Sequence, residues 1–281
     1  MNVALNREEQ KIAKKYYFND TWIYIFWGIG NFLIWLSLWP LAFLSILPLW
    51  LIFIIATLNC CLAYLPSHEA QHGNIVKKGT RFFWVNELVG YLSVLPLLTG
   101  YKLLKETHML HHKYTNVPEK DPDIVTKSSG FFHSLWVCGV KLRQPNAGYG
   151  LQSNFYRENI SSRAFKEHLI FFWFHWILLA FLCLSGHGLI VIAIWWLPRL
   201  IGTAYLQITL SFLPHKPMEK VGRYRDTRGW KATTGTVLTQ GMEYHIIHHL
   251  YPSIPLHKTP SAYRDMRHIL EEKNCVLDGR I

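Results

Sequence analysis

Histidine is the residue type whose spacing suggests chemistry in this sequence. HIIHH at 245–249 and HMLHH at 108–112 each hold three histidines at positions i, i+3 and i+4, and HEAQH at 68–72 holds two at i and i+4. On a helix these positions share one face, so the imidazoles of each motif are expected to point towards one place. Imidazole is the commonest metal ligand near neutral pH. The three motifs therefore predict a multi-histidine metal site.

The number of histidines bears on the kind of metal site. A ninth candidate, His215, stands after a proline in SFLPH. One ion takes roughly four to six ligands, so eight or nine imidazoles predict two metal ions. Zinc sites usually have four ligands, and imidazole also suits iron, copper and nickel, which favours a redox pair. A pair of iron ions near a bilayer can bind O₂ and produce an oxidant that breaks an unactivated C–H bond, such as those of lipid acyl chains and isoprenoids.

The elements that must position these histidines are membrane helices. Half of the residues are hydrophobic, with 12 Trp, 14 Tyr and 16 Phe, and the apolar residues are concentrated in long runs. Rings of this kind suit the membrane interface, and about 20 apolar residues cross a bilayer. The sequence therefore predicts an all-α integral membrane protein with four transmembrane helices in two hairpins, which we expect at about 21–39, 41–65, 168–185 and 188–213.

A fifth apolar segment, about 82–100, is weaker. It contains Asn86 and Glu87 and is interrupted by Pro96. A further crossing here would put HMLHH on the opposite side of the membrane from HEAQH, so we predict an in-plane or re-entrant segment. Two hairpins then place all three motifs and His215 on one side, in a helical cap formed by 66–167 and 214–281 of a single membrane domain, 1–281.

The distribution of charge predicts the orientation in the membrane. The formal net charge is +11, and nearly all Lys and Arg residues lie outside the apolar runs. By the positive-inside rule the termini and the metal site are expected in the cytoplasm, and in a bacterial cell the membrane would be the inner membrane. The basic residues suit contact with membrane lipids and give no reason to expect nucleic acid. Arg199 stands near the middle of the fourth run and should either face the bundle interior or water, or extend its side chain to the membrane interface.

The segments around the histidines resemble a known family. HEAQHGN, HMLHHKYTN and EYHIIHHLYPSIP are similar to the three histidine boxes of the membrane fatty acid desaturase superfamily, which includes acyl desaturases, acyl hydroxylases, and carotenoid ring hydroxylases and ketolases. The resemblance implies a di-iron centre, O₂ as co-substrate and an external electron carrier, with no catalytic residues beyond the metal ligands. By matching position, the iron ligands would be His68, His72, His108, His111, His112, His245, His248 and His249, and His215 resembles the extra ligand of some members.

The resemblance leaves the substrate open. Acyl desaturation is the favoured reaction, but LPHK, RYRDTR and the short chain also resemble bacterial carotenoid hydroxylases and ketolases. A carotenoid ring or acyl hydroxylase is therefore the alternative. The chain carries no haem-binding or ferredoxin-like cysteine pattern, so we expect a separate ferredoxin-like electron-transfer protein, steered by the basic residues near His215.

Two other classes of protein compete with this interpretation. HEAQH also fits the HExxH motif of zinc metalloproteases, with Glu69 as the base, but that leaves both HxxHH motifs unexplained. A metal transporter or store would need polar residues along its spans, which hold little beyond Asn31, Arg199 and Gln207. Near the motifs, several acidic residues could orient ligand imidazoles. These are Glu69, Glu106, Asp121, Asp123 and Glu243, of which Asp121 and Asp123 could instead form a turn.

Overall fold

The structure, a computed structural model, describes residues 2–18, 21–143, 149–231 and 235–278. These residues are mostly helical, as predicted. The α-helices are α1 Asn2–Lys14, α2 Trp22–Phe43, α3 Leu49–Leu62, α4 Tyr64–His72, α5 Phe83–Val94, α6 Tyr101–Tyr114, α7 Phe131–Gly139, α8 Tyr149–Asn159, α9 Ser162–Leu182, α10 Gly188–Val191, α11 Leu197–Leu206, α12 Leu213–His215, α13 Gly235–Thr239, α14 His245–Leu250 and α15 Thr259–Glu272.

Short elements complete the fold. Two strands, β1 Arg228–Trp230 and β2 Val276–Asp278, pair in parallel, with Gly229 opposite Leu277. The 3-10 turns are Leu95–Leu97, Pro122–Thr126, Lys141–Arg143, Met242–Tyr244 and Leu256–Lys258. The π-helical turns are Cys183–His187, Ile192–Trp196 and Gln207–Phe212.

Three helical stretches of the described chain are long and apolar enough to cross a membrane: Trp22–Phe43, Leu49–His72 and Ser162–His215. The third covers both of the last two predicted spans and begins six residues before the expected start at 168. It is interrupted at Gly186, whose φ of 88° lies outside the helical region. Beyond Gly186 the chain folds back, as the distance of 5.0 Å between the ring centroids of His175 and Trp195 shows.

The helix end expected at Pro40 is wrong. Helix α2 continues through Pro40 to Phe43. Proline fits the φ of a helix and removes one hydrogen bond, here the bond to the carbonyl of Leu36. The chain leaves the helix after Phe43, where the amide of Leu44 donates to the carbonyl of Pro40 at 3.0 Å. Pro48 directly precedes α3, so the second long apolar stretch runs from Leu49 to His72 rather than over the expected 41–65.

Helix α5 occupies the weak apolar segment. Its 12 residues extend about 18 Å, less than the roughly 30 Å of a bilayer core. Asn86 is fully buried and donates to the carbonyl of Ala70 at 2.8 Å, which ties α5 to the end of α4. Helix α2 approaches closely at Gly28, where a Cβ atom would lie 2.6 Å from Ser93 Oγ. These contacts explain why a polar residue, Asn86, stands in an apolar segment. The in-plane placement of α5 in the membrane stays a prediction.

The N-terminal helix α1 is joined to the C-terminal part of the chain by a buried carboxylate. Glu9 is 1% exposed and accepts hydrogen bonds from Tyr251 Oη at 2.9 Å, Tyr224 Oη at 3.1 Å and Lys273 Nζ at 2.5 Å. Lys273 lies just after α15, and Tyr251 directly follows α14. A buried charge is tolerated only when it is paired in this way. Glu9 therefore holds α1 against the segment that carries HIIHH.

We expect the substitution Glu9→Ala to destabilise the protein by about 3 kcal/mol, because it leaves the Lys273 ammonium buried without its counter-charge. The measurement is the free energy of unfolding of the purified protein in detergent. The matched control is Glu8→Ala, which removes an exposed carboxylate paired with the exposed His268 at 3.1 Å. Equal stability of the Glu9→Ala and Glu8→Ala proteins would contradict this role of Glu9.

Candidate metal centre

The three histidine motifs stand on three separate helices. HEAQH ends α4, HMLHH lies in the C-terminal half of α6, and HIIHH opens α14. Helix α14 has six residues and ends at Leu250, two residues before Pro252, and a proline does not readily continue a helix. His215 is the last residue of α12. All nine predicted histidines therefore lie on helices, and the structure brings them together in two groups.

The first group takes members from all three helices. It consists of His68, His72, His108, His112 and His248, each of which offers one ring nitrogen within 4.8 Å of the others. The Nε2 atoms of His72 and His108 are 2.8 Å apart. The Nε2 atom of His112 is 3.1 Å from that of His108 and 3.0 Å from that of His248. Five imidazoles thus converge on one place.

The second group contains the remaining four histidines. They are His111, His215, His245 and His249, whose ring nitrogens also lie within 4.8 Å of one another. The Nε2 atoms of His111 and His215 are 3.1 Å apart, as are those of His245 and His249. The ninth candidate from the sequence, His215, is thus brought into this group, and it is 2% exposed.

The sequence predicted that the imidazoles of each motif point towards one place. The structure instead divides each HxxHH motif between the two groups. In α6 the i and i+4 histidines join the first group and the i+3 histidine joins the second; in α14 the assignment is reversed. The reason is geometric: residues i and i+4 differ by about 40° around a helix, whereas i+3 and i+4 differ by about 100°. The groups adjoin, since the rings of His112 and His249 stack with centroids 4.2 Å apart.

Outward-facing nitrogens fix the orientation of two rings. The Nδ1 atom of His111 is 2.8 Å from Asp121 Oδ1, and that of His215 is 3.0 Å from the carbonyl oxygen of Asp226. Asp121 also accepts from the amides of Asn116 at 2.7 Å and Asp123 at 2.9 Å. Since these oxygens can only accept, each Nδ1 donates its proton, and each Nε2 is turned towards the group.

Most of the rings are held neutral. Burial, followed by the neighbouring histidines, lowers the pKa of His108, His112, His245, His248 and His249 well below the ordinary value. A neutral imidazole keeps a lone pair on one nitrogen, and this is the form that binds a metal.

His111 differs from the other rings. Burial lowers its pKa, but the carboxylates of Asp123 and Asp121 outweigh burial and raise it to about 9. The buried Asp121 and the partly exposed Asp123 therefore favour a positive charge at this ring. The Nδ1 proton of His111 is donated to Asp121. The space between the Nε2 atoms of His111 and His215 therefore suits a cation, either a proton or a metal ion.

The residues present fit a metal centre. In both groups, Nε2 atoms of neighbouring rings face one another at 2.8 to 3.1 Å. A neutral imidazole has a lone pair on one of its nitrogens, and cations between the facing atoms would satisfy these lone pairs. Nitrogen ligands of this number suit iron, copper, zinc or nickel. The histidine groups could therefore hold metal ions.

Of the acidic residues expected to orient ligand imidazoles, Asp121 does so directly, through its hydrogen bond with His111. Glu106 instead accepts from the amide of Ser161 at 2.7 Å, and Glu243 accepts from the hydroxyl of Thr239. The carbonyl of Asp226 beside His215 could not be predicted from the sequence, because a backbone acceptor has no residue-type signal.

Glu69 is fully buried, and its main contacts connect two parts of the chain rather than orient an imidazole. Its oxygens accept from Asn74 Nδ2 at 3.1 Å and from the amide of Leu256 at 3.3 Å, and Oε1 lies 3.6 Å from His68 Nδ1. These contacts join α4 to the segment after HIIHH. A protease base would instead face a water molecule at the metal, so this arrangement does not favour the protease interpretation.

Two basic cavities reach the histidine groups. One, of about 310 Å³, is lined by His112 and His249 together with Lys113 and Arg223. The other, of about 360 Å³, is lined by His215 and by cationic side chains from LPHK and RYRDTR, namely Lys216, Arg225 and Arg228 among others. Both cavities therefore present positive charge next to a ligand candidate.

Comparison with known proteins gives one family. The model of the fatty acid desaturase family matches residues 44–279. The chain is similar to fatty acid conjugase FAC2 B of Calendula officinalis, with 23% identity over 74% of this chain and 64% of that protein. It is also similar to the sn-1 oleoyl-lipid 12-desaturase of a Picosynechococcus species, with 24% identity over 73% of this chain and 65% of that protein.

A third relative, a Delta(9) fatty acid conjugase-like enzyme of Dimorphotheca sinuata, is 22% identical over 74% of this chain and 65% of its own. The chain thus spans slightly less than two thirds of the length of these relatives. The resemblance carried by the histidine motifs is confirmed, because the family match includes all nine histidines and most of the sequence. On this match, the chain belongs to the fatty acid desaturase family.

Proposed function

We propose that the protein is a membrane oxidoreductase that uses a di-iron centre, O₂ and an external electron donor to introduce a double bond into a fatty acyl chain. The observation that carries the proposal is the pair of adjoining histidine groups, five and four, in a chain of the fatty acid desaturase family. The names of the relatives, desaturases and conjugases of fatty acids, support an acyl substrate.

In this proposal the two histidine groups hold one iron ion each. Bound iron would supply the oxidising power of O₂ for removing hydrogen from an unactivated C–H bond. The protein's own contribution is to present neutral imidazoles, to fix the rings of His111 and His215 through Asp121 and the Asp226 carbonyl, and to bury five of the nine rings. Rings that are oriented and partly shielded from water limit side reactions.

We propose four spans in the membrane, with the third long stretch divided at Gly186. The return of the chain beyond Gly186 supports two crossings there, and the ends of α4 and α12 then emerge on the same side. The concentration of Lys and Arg outside the spans supports cytoplasmic termini, a cytoplasmic metal site and, in a bacterium, the inner membrane.

We propose that the electron donor is a small acidic, ferredoxin-like protein that docks over the two basic cavities. Lys113 and Arg223 beside His112, and the cations beside His215, provide complementary charge within a short distance of the candidate ligands. Charge of this kind speeds encounter of the partners.

A carotenoid ring or acyl hydroxylase is the second candidate function. It is favoured by LPHK and RYRDTR, whose side chains line the cavity at His215. A metal transporter is less well supported. Asn31 and Asn59, two of the polar residues in the apolar helices, bond reciprocally at 2.6 to 3.0 Å and so join α2 to α3.

The ligand assignment predicts that His248→Ala reduces bound iron and abolishes turnover, because the first group loses one of its imidazoles. The wild-type protein should hold two iron ions per chain by elemental analysis. His133→Ala is the matched control, since His133 is exposed, contacts Ser129 and belongs to neither group. Wild-type iron content in His248→Ala would contradict the assignment.

The role of Asp121 predicts that Asp121→Ala weakens iron binding by roughly 10- to 100-fold, because His111 loses the acceptor that fixes its tautomer. Competition with a chelator measures the affinity without requiring turnover. The control is Glu119→Gln, which removes an exposed carboxylate from the same loop. If both variants bound iron equally well, Asp121 would have no part in positioning His111.

The substrate is tested by expression in a host that makes β-carotene, followed by analysis of both fatty acids and pigments. New unsaturated acyl chains with unchanged pigments are expected, and the His248→Ala protein should produce neither change. Hydroxylated or ketolated carotenoid with an unchanged acyl profile would overturn the acyl proposal in favour of the second candidate.

A further inference from the structure

An open cavity of about 710 Å³ lies where α9 begins, away from the histidine groups. It is larger than either cavity at the histidines. Its polar wall contains Lys102, Arg163 and Lys166, and its apolar wall contains Ile170 and Phe174. Cations and apolar side chains thus face the same space at the end of a membrane-length helix.

The cavity carries uncompensated positive charge. Lys102 forms an ion pair with Glu167, whose other oxygen accepts from Tyr91 Oη at 2.9 Å. Within the described ranges, Arg163 and Lys166 pair with no carboxylate, and both are exposed. The residues that line the cavity therefore carry an excess of two positive charges. The N-terminal end of α9 is occupied by the carboxylate of Glu106, so the helix dipole is not counted among these charges.

An exposed apolar stripe continues from the cavity along α9. Ile170, Phe174, Ile177 and Phe181 are 72%, 60%, 67% and 65% exposed. They stand at i, i+4, i+7 and i+11, so they occupy one face of the helix over about 16 Å. An apolar face of this length beside two free cations matches the shape of a phospholipid, with its phosphate at one end and an acyl chain below.

We propose that this cavity binds an anionic glycerophospholipid, with the phosphate at Arg163 and Lys166 and one acyl chain along the stripe from Ile170 to Phe181. The excess charge favours an anionic over a zwitterionic headgroup, and the stripe favours a lipid over free phosphate. The proposal rests on the membrane placement in the proposed function and is independent of the reaction.

The cavity also adjoins a ligand helix. Lys102 belongs to α6 and stands six residues, or about 9 Å along the axis, before His108. The two helices meet again where Glu106 of α6 accepts from the amide and hydroxyl of Ser161, just before α9. A lipid bound here would therefore bridge α9 and the helix that carries HMLHH.

Native mass spectrometry of the full-length protein tests the proposal. The protein is extracted from micelles doped with equal amounts of phosphatidylglycerol and phosphatidylcholine that carry the same acyl chains. The wild-type protein should retain phosphatidylglycerol preferentially. The double variant Arg163→Gln, Lys166→Gln should retain it about 25-fold less, since each cation near a headgroup contributes about fivefold.

The matched control is Lys77→Gln, Lys78→Gln, which removes two exposed cations from the loop before α5 and should leave retention unchanged. The double variant Arg163→Lys, Lys166→Arg keeps both charges and should retain most of the lipid, so the loss in the glutamine variant can be assigned to charge rather than to substitution at these two sites. Equal loss in the Lys77, Lys78 control, or unchanged retention in the double variant, would overturn the proposal.

Two further readouts separate the possible sources of the anion. Phe174→Gln should weaken retention, because the acyl chain loses an apolar contact, and excess inorganic phosphate should not displace the lipid. Displacement by phosphate alone would overturn the lipid assignment in favour of a phosphate site. Retention is measured without turnover, so failure of the desaturase proposal would leave this test intact.

Discussion

Nine imidazoles, five of them buried and four half-buried, meet between α4, α6, α12 and α14, and they are the constraint on which the rest of the structure depends. Buried ring nitrogens cost free energy unless each has a partner. Here Asp121 and the carbonyl of Asp226 serve two of the outward nitrogens, and the inward nitrogens face one another at 2.8 to 3.1 Å. Cations between the facing nitrogens would satisfy them, so α4, α6 and α14 are held at distances that suit metal binding rather than close apolar packing.

Each ligand helix is held in place by polar contacts to distant parts of the chain. Asn86 of α5 and the buried Glu69 fix α4, the first through the Ala70 carbonyl and the second through the amide of Leu256. Glu106 joins α6 to the start of α9. Glu9 holds the end of α14 through Tyr251. Because such bonds are directional, they fix the rotation of a helix about its axis, which apolar packing alone specifies less strictly.

The sequence predicted the helices and the candidate ligands because their signals are local. An i, i+3, i+4 pattern is read within five residues, and long apolar runs identify membrane helices. Asp121 could be anticipated because it follows HMLHH by only nine residues. The contacts of Glu9 could not be anticipated from the sequence, since its partners lie 215 to 264 residues away.

The sequence did not predict that each HxxHH motif is divided between two groups. The division depends on how the helices are rotated against one another, which a single helix does not reveal. Pro40 was misread because the effect of a proline depends on whether one lost hydrogen bond is tolerated. Helix α6 shows what the assembled arrangement provides. It begins at the cavity beside the apolar face of α9 and ends at Lys113 in a basic cavity, with its histidines between them. The phospholipid and the electron donor that we propose would therefore contact the same helix near its opposite ends, on either side of its histidines.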